Sequence, residues 1–380
     1  MATENNNKTL NVPNLRFPEF SGEWERCSLG DITTNFSRRN KEEVRYPMFS
    51  VTNNRGFVPQ SEQFEDREMV GEDIKAYKII HKNDFAYNPA RINVGSIAKY
   101  NGDEPCMISS LYVCFTADKR LDNEWLMQLL KTPKMNFYYN INGEGGVRVY
   151  LFYPNFARIK TSFPSLQEQQ KISSFLALLD ERIATQIKII EKLESLIKGL
   201  CSSLFDKNKY DSFVRLGDIS EITNGNSDVQ DASLSYRDGM YPFFDRSEDI
   251  KFLPEYLLDK EAIIYPGEGS EFYPRYYNGK FALHQRCYAI YDIAPNFATR
   301  YLYFFCKTQN SYFVRNAVGS TVASLRLDTF KRLNIPNIPI ELQKTYVQLL
   351  DKIETKIVDN KIVLKKYEEQ KRYLLSNLFI

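Results

Sequence analysis

Ser165-Leu166-Gln167-Glu168 opens a stretch in which Ile172, Leu176, Leu179, Ile183, Gln186, Ile190, Leu193, Ile197, Leu200 and Leu204 fall at alternating spacings of four and three. That alternation keeps one stripe of a helix apolar along its whole length, which is the pattern of a heptad seam. Ser165 and Glu168 read as a capping box: the hydroxyl takes an early backbone N–H and the carboxylate reaches back. The same frame returns as Tyr346, Leu350, Ile353, Ile357, Asn360, Leu364, Tyr367, Lys371, Leu374 and Leu378. Each seam has one amide near its middle, Gln186 and Asn360. A seam amide lowers stability but favours the register in which it finds a partner. Antiparallel pairing brings both amides near the centre, within roughly one layer of each other. A helix of about 40 residues is about 60 Å long, so the two helices read as a rigid spacer.

The residues outside these helices are duplicated as well. Leu29-Gly30-Asp31-Ile32 recurs as Leu216-Gly217-Asp218-Ile219, and Tyr46-Pro47-Met48-Phe49 as Tyr241-Pro242-Phe243-Phe244. Tyr100-Asn101-Gly102 recurs as Tyr277-Asn278-Gly279, Lys131-Thr132 as Lys307-Thr308, and Leu204-Phe205 as Leu378-Phe379. The order is kept and the offset drifts only between about 174 and 195 residues, as one duplication requires. Each copy reads as β-rich. Phe49 and Val51 alternate as in a half-buried strand, and Asn101-Gly102 and Asn278-Gly279 are pairs that close two-residue hairpins. Leu111–Phe115 and Cys287–Tyr291 follow as strands, then short helices at Asn123–Leu130, stopped by Pro133, and at Thr299–Phe305. The expected fold is α+β, with two pseudo-symmetric β-rich domains joined by two long helices in an antiparallel coiled coil. The expected boundaries are a flexible leader at 1–14, a first domain at 15–164, a first spacer helix at 165–207, a second domain at 208–337 and a second spacer helix at 338–380.

Composition excludes more than it selects. Among 380 residues, 50 Lys and Arg stand against 48 Asp and Glu, so a nucleic-acid role must rest on local basic patches. The six cysteines form no Cys-x-x-Cys pair, and the repeat does not clearly preserve them, as expected of reduced core thiols. No apolar run is long enough for a bilayer and Met1–Thr9 is polar, so the expectation is a soluble, cytoplasmic protein with no membrane partner. Catalysis has little to stand on. There are two histidines, His81 and His284, in different halves, with no metal spacing and no phosphate loop. Tyr87-Asn88-Pro89-Ala90 is superficially similar to the Asn-Pro-Pro-Tyr motif of amino-methyltransferases but lacks the second proline and the aromatic that would stack on a flipped base.

These motifs in this order resemble the DNA-specificity subunits of type I restriction–modification systems. The resemblance rests on Asn14-Leu15-Arg16-Phe17-Pro18-Glu19-Phe20 followed by Gly22-Glu23-Trp24-Glu25, on the two Leu-Gly-Asp-Ile segments, on Phe163–Lys171, and on the more diverged Ile338–Lys344. It covers nearly the whole chain. It implies two target-recognition domains, each reading half of a split, asymmetric DNA site, with the helices setting the gap. It also implies a non-catalytic chain without a cofactor of its own. Double-stranded DNA, two methyltransferase subunits carrying S-adenosylmethionine and two motor-nuclease subunits would be its partners. Two modules related by a pseudo-dyad meet equivalent faces of a duplex when their half-sites lie about one turn, roughly 34 Å, apart. The competing readings are a protein-interaction scaffold without a nucleic-acid role and a single-chain restriction enzyme, whose motifs are absent.

Base readout needs Arg, Lys, Asn, Gln, Ser or Thr on loops that reach a groove, and phosphate contacts need Arg or Lys. In the first half the candidates are Arg38, Arg39 and Lys41, then Arg91 and Asn93 after Asn88-Pro89-Ala90, and Arg148 at the end of Gly143–Arg148. In the second half they are Asn226, Ser270 after Gly267-Glu268-Gly269, Arg275, Ser320 in Gly319-Ser320-Thr321, and His284, Gln285 and Arg286, expected on the strand after the hairpin. Arg91, Arg148, Arg275 and Arg286 are the expected principal contacts. The seam carries its own test: Ile183→Asp or Ile357→Asp places a charge in the spacer, and a melting profile unchanged from the parent protein would refute the coiled-coil reading.

Overall fold

The computed structural model describes residues 10–63, 74–145 and 149–380. The chain divides into two compact units, 1–185 with 364–380, and 186–363. These units are out of phase with the sequence copies. The first long helix begins in one unit and ends in the other, and the second returns the other way.

The first unit opens with β1 (Glu25–Ser28), the single turn α1 (Leu29–Ile32), β2 (Thr33–Phe36), β3 (Phe49–Thr52), β4 (Gly56–Pro59) and α2 (Gln60–Gln63). It continues with β5 (Lys78–Ile80), β6 (Phe85–Tyr87), β7 (Ile97–Lys99), β8 (Cys106–Ile108) and β9 (Val113–Ala117). Helices α3 (Asn123–Leu130), α4 (Pro133–Asn142) and α5 (Tyr153–Arg158) precede β10 (Lys160–Phe163) and the long helix α6 (Leu166–Leu204). The central sheet has the order β2-β9-β6-β7, all antiparallel, with β3–β4, β5–β8 and β1–β10 as separate pairs. Of the 1–14 leader, residues 1–9 lie outside the described residues. Asn11 is tied down: its amide donates to Trp24 O at 2.7 Å and to Ser162 Oγ at 3.0 Å.

The second unit repeats this plan with longer strands. In order come β11 (Phe213–Arg215), α7 (Leu216–Ile219), β12 (Glu221–Asn224), β13 (Tyr241–Phe244), β14 (Lys251–Leu253), β15 (Leu258–Pro266), β16 (Arg275–Leu283) and β17 (Cys287–Tyr291). Then follow α8 (Thr299–Lys307), α9 (Asn310–Asn316), α10 (Leu327–Lys331), β18 (Asn334–Pro336) and the second long helix α11 (Ile340–Asn377). The sheet order β12-β17-β15-β16 matches β2-β9-β6-β7, and β11–β18 matches β1–β10. The repeated Tyr-Pro-x-Phe segment pairs in parallel in both units, Met48 with Met107 and Phe243 with Ala282.

Both Asn-Gly expectations are overturned. Asn278-Gly279 lies inside β16, where Asn278 faces Glu261 and Gly279 faces Lys260 across an unbroken antiparallel register. Asn101-Gly102 follows β7, but β7 pairs with β6 and not with β8, so it closes no hairpin. Extended pairing with a neighbouring strand overrides the local turn preference. The first expected strand begins two residues late, at Val113, whereas Cys287–Tyr291 and both short helices stand where their patterns place them. Pro133 does not merely stop α3; it starts α4 in the first helical turn, where its missing N–H costs nothing.

Each core is completed by the end of the helix that started in the other unit. Ile172, Leu176 and Leu179 of α6 share a core with Leu374 and Leu378 of α11, and Phe379 packs on Trp125 at 5.7 Å. In the second unit Ile197 and Cys201 of α6 meet Leu350, Ile353 and Ile357 of α11, and Phe205 packs against Tyr301 and Phe305. The seam residues are buried or half-buried throughout. The helices run antiparallel: within the second unit Gln186 meets Asn360 while Phe205 meets Tyr346. Gln186 Nε2 donates to both the side-chain and main-chain oxygens of Asn360, so the two seam amides satisfy each other.

The capping box is half formed. Ser165 Oγ accepts from Glu168 N at 3.4 Å, but the Glu168 carboxylate turns away to take Arg16 (2.8 and 2.7 Å) and Trp24 Nε1 (3.3 Å). A buried ion pair with a two-pronged guanidinium outweighs a solvent-facing cap. The next residue is the stronger device. Gln169 is fully buried; its amide donates to Pro164 O (2.9 Å) and Arg120 O (3.1 Å), and its oxygen accepts from Asp122 N (2.8 Å). Gln343 repeats this, donating to Ile338 O (2.9 Å) and Asn296 O (3.0 Å) and accepting from Ala298 N (2.9 Å). Each glutamine ties the first turn of a long helix to the start of a short helix in its unit.

All six cysteines are free thiols, five of them buried. Burial pushes Cys106 and Cys114 up to about 12 and Cys201 and Cys287 up to about 11, so these thiols are unreactive. No helix among the described residues is long and apolar enough to cross a membrane.

Gln343→Ala leaves a buried N–H and two carbonyls without partners, at a cost of about 2–4 kcal/mol. The expected result is a clear fall in melting temperature, and Gln343→Glu recovers only the accepted bond.

Candidate nucleic-acid interface

The sheets of the two units present equivalent loops at one end. In the first unit Asn88–Arg91 follows β6, Ser109–Tyr112 precedes β9, and the two ends of a further loop, Glu144 and Tyr150, are joined beside them by mutual backbone bonds (2.8 Å each). Leu151 N locks that loop to Pro89 O at 2.9 Å. In the second unit Gly267–Ser270 follows β15 and His284–Arg286 precedes β17. There the closing pair is Val318 with Ser324, at 2.9 and 2.8 Å, and Leu325 N reaches Gly267 O at 2.8 Å. The same backbone hydrogen bonds, carrying unrelated side chains, mark one face of the fold as the place where the two halves are free to differ.

The second-unit face is a depression of about 540 Å³ whose lining includes Asp228, Arg246, Glu268, His284, Gln285 and Arg286. His284–Arg286 is the tight turn between β16 and β17, not a stretch of strand as expected. It is held by His284 N to Phe244 O (2.9 Å), Gln285 N to Ser227 O (3.0 Å) and Cys287 N to His284 O (2.8 Å). Its neighbours approach so closely that a Cβ on Gly225 would overlap the carbonyls of Leu283 and His284, and one on Gly267 the carbonyl of Arg286. Glycine is required at both positions. Arg286 Nη1 donates to both oxygens of Glu268 (2.7 and 2.9 Å), and this bond holds the carboxyl below the usual range. Gln285 Nε2 donates to Asp228 at 3.3 Å.

The candidates therefore separate. Asn226, Gln285 and Arg286 come together on this face, with Ser270 and Ser320 exposed on the flanking loops. His284 braces the turn, its Nδ1 accepting from Arg286 N at 3.1 Å. Arg275 is spent inside the fold: it donates to the carbonyls of Ser247 and Asp245 and lies 5.2 Å over the Phe244 ring, and burial lowers its pKa. Asp228, Arg246 and Lys251 also line this face and are not among the sequence candidates, whereas Glu268 lies in the candidate loop that ends at Ser270. The pair Asp245-Arg246, directly after the repeated Tyr241–Phe244 strand, was the available signal.

In the first unit, Arg91 and Asn93 line a depression of about 710 Å³ together with Leu111, Tyr150 and Phe152, the last two stacked at 6.2 Å. Arg91 is exposed and makes no side-chain bond among the described residues, whereas Asn93 donates to Asn140 at 3.0 Å. Asn88 forms a local turn by accepting from Ala90 N. Arg38, Arg39 and Lys41 line a different depression, of about 410 Å³. Arg38 is committed there to Asp84 (2.8 Å) and to the face of Phe36 (4.0 Å); Arg39 and Lys41 are exposed. Arg148 lies outside the described residues. Among the described residues no cluster of His, Cys, Asp and Glu could hold a metal.

Comparison with known proteins gives one answer. A type I restriction enzyme specificity subunit of Methanocaldococcus jannaschii is 24% identical over 230 residues, 56% of this chain and 54% of the relative. The HindI specificity subunit of Haemophilus influenzae is 25% identical over 192 residues, 48% of this chain and 41% of the relative. The alignments thus span about half the length of the curated relatives. Among solved structures, a type I restriction–modification S subunit from M. genitalium matches with a TM-score of 0.65 at 15% identity, covering 97% of this chain and 99% of that one. A chain from a study of type I system assembly matches with a TM-score of 0.57 at 14% identity, covering 93% and 97%. The profile of the type I restriction modification DNA specificity domain matches twice, over residues 22–195 and 209–366, and the chain belongs to that family.

Proposed function

We propose that this chain is the sequence-recognition subunit of a type I restriction–modification complex. Modules at 15–164 and 208–337 each read one half of a split, asymmetric double-stranded DNA site. The helices at 165–207 and 338–380 set the gap and dock two methyltransferase subunits. Two motor-nuclease subunits complete the assembly, which works in the cytoplasm. S-adenosylmethionine is held by the methyltransferases, and this chain supplies no catalytic group. The observation that carries the reading is the equivalent loop face on each unit, built on matching backbone bonds yet lined differently: apolar and aromatic with Arg91 in one, charged in the other. Unlike linings call for unlike half-sites. Arg39, Lys41, Arg91 and Arg286 are the cations best exposed for DNA, Asn226, Gln285, Ser270 and Ser320 the polar groups, with Arg148 a proposal from sequence alone.

Methylation mapping on random-sequence DNA, with the chain, its methyltransferase subunit and S-adenosylmethionine, is expected to return two short unlike motifs at a fixed gap. Affinity is expected to fall steeply with salt, since phosphate contacts release counterions. A salt-independent complex that methylates no motif would leave the scaffold reading in its place. Gly225→Ala and Gly267→Ala displace the turn at His284–Arg286 and are expected to reduce specific binding at least about tenfold. Gly199→Ala, on an open face of α6, is expected to leave binding unchanged.

A further inference from the structure

The depression on the second unit has three carboxylates, Asp228, Asp245 and Glu268, and three cations, Arg246, Lys251 and Arg286. Asp245 and Lys251 are mutually paired and largely buried. A surface that gripped phosphates would carry a surplus of positive charge. This one is balanced, and its carboxylates are spent on orienting donors.

The way they orient them is specific. Glu268 engages Arg286 only at Nη1, and among the described residues Nε and Nη2 have no partner. The edge left open is the two-donor fork that matches guanine O6 and N7 in the major groove. Asp228 takes one proton of the Gln285 amide, and among the described residues the other N–H and Oε1 have no partner. A donor beside an acceptor matches adenine N7 and the N6 amino group. Neighbouring residues lie 3.8 Å apart at Cα, close to the rise between stacked base pairs. The turn that carries them is fixed by four backbone N–H bonds, three to carbonyls and one to the His284 ring, so little ordering is left for the moment of binding.

We propose that the His284–Arg286 turn reads two adjacent purines, Arg286 a guanine and Gln285 an adenine, with Glu268 and Asp228 as positioning residues. The proposal rests on the DNA-recognition reading above. It predicts that one half of the target contains an adenine–guanine step read from the major groove.

The test is methylation mapping with the complex of this chain and its methyltransferase subunit, comparing the parent protein with Arg286→Ala, Arg286→Lys, Gln285→Ala and Glu268→Gln. Arg286→Ala and Arg286→Lys are both expected to lose roughly ten- to hundredfold discrimination at a single guanine, with the other half-site unchanged. Gln285→Ala does the same at the adjacent adenine. Glu268→Gln weakens discrimination at that guanine by roughly three- to tenfold, because a neutral acceptor holds the guanidinium less firmly. A purely structural role for Glu268 would lower activity at every position alike. Equal weakening at all positions, or Arg286→Lys behaving as the parent, would make Arg286 a phosphate contact and overturn the assignment while the recognition reading stands. A parent complex that yields no two-part motif would remove both.

Discussion

A buried side-chain amide holds each half of this molecule to its long helix. Gln169 and Gln343 stand at the same turn of α6 and α11, and each makes three hydrogen bonds to backbone in a site without solvent. The partners are the strand-to-helix link just before (Pro164, Ile338) and the backbone at the start of the short helix (Asp122, Ala298). A buried amide with both N–H groups and its oxygen engaged is a demanding constraint, because turning the helix would break those bonds out of reach of water. The sheet, the short helix and the long helix of each unit then have one arrangement. The rest of the family signature is organised around this point. In the first unit Arg16 and Trp24 converge on Glu168, one residue before the glutamine, whereas the second copy has Leu342 there and no equivalent clamp.

The repeated Lys-Thr pair has a second, electrostatic share in the same task. Thr132 and Thr308 close their short helices by bonding back to Leu129 and Phe305. Lys307 donates to Glu354 of α11 at 2.9 Å, where Arg300 also reaches Glu354 and Asp351 while lying over the rings of Tyr276, Tyr303 and Phe304. Burial alone would push the Glu354 carboxyl up, but Lys307 and Arg300 outweigh it and hold it low. The first unit has a lighter version: Asp180 of α6 receives Lys371 and the amide of Gln128. The second unit therefore grips its helix by a half-buried ion network and the first more by the packing of Trp125 on Phe379.

Because the long helices begin in one unit and end in the other, the copy that the sequence repeats is not the body that folds. Phe205 closes the first sequence copy and fills the second core; Phe379 closes the second copy and fills the first. The loop face at the end of each sheet is free of these duties. There the backbone bonds are kept and the side chains have diverged, which is the condition for changing specificity without disturbing the scaffold.

The long helices, the short helices Asn123–Leu130 and Thr299–Lys307, the duplication and the pairing of Gln186 with Asn360 were legible in the residues, because periodicity and an isolated seam amide report on one helix face at a time. The strand pairings around Asn101-Gly102 and Asn278-Gly279, neither of which closes a hairpin, were not, since strand partners are chosen by long-range pairing that no dipeptide encodes. The site was legible only in part. Loops rich in glycine and arginine were recognisable as such, but which arginines are free depends on what faces them across the fold. Arg275 and Arg286 look alike in the sequence; one is consumed by the carbonyls of Asp245 and Ser247, the other presents an open edge beyond Glu268. That distinction belongs to tertiary structure, because a guanidinium's availability is set by partners distant in the chain, Glu268 for one and the 245–247 turn for the other.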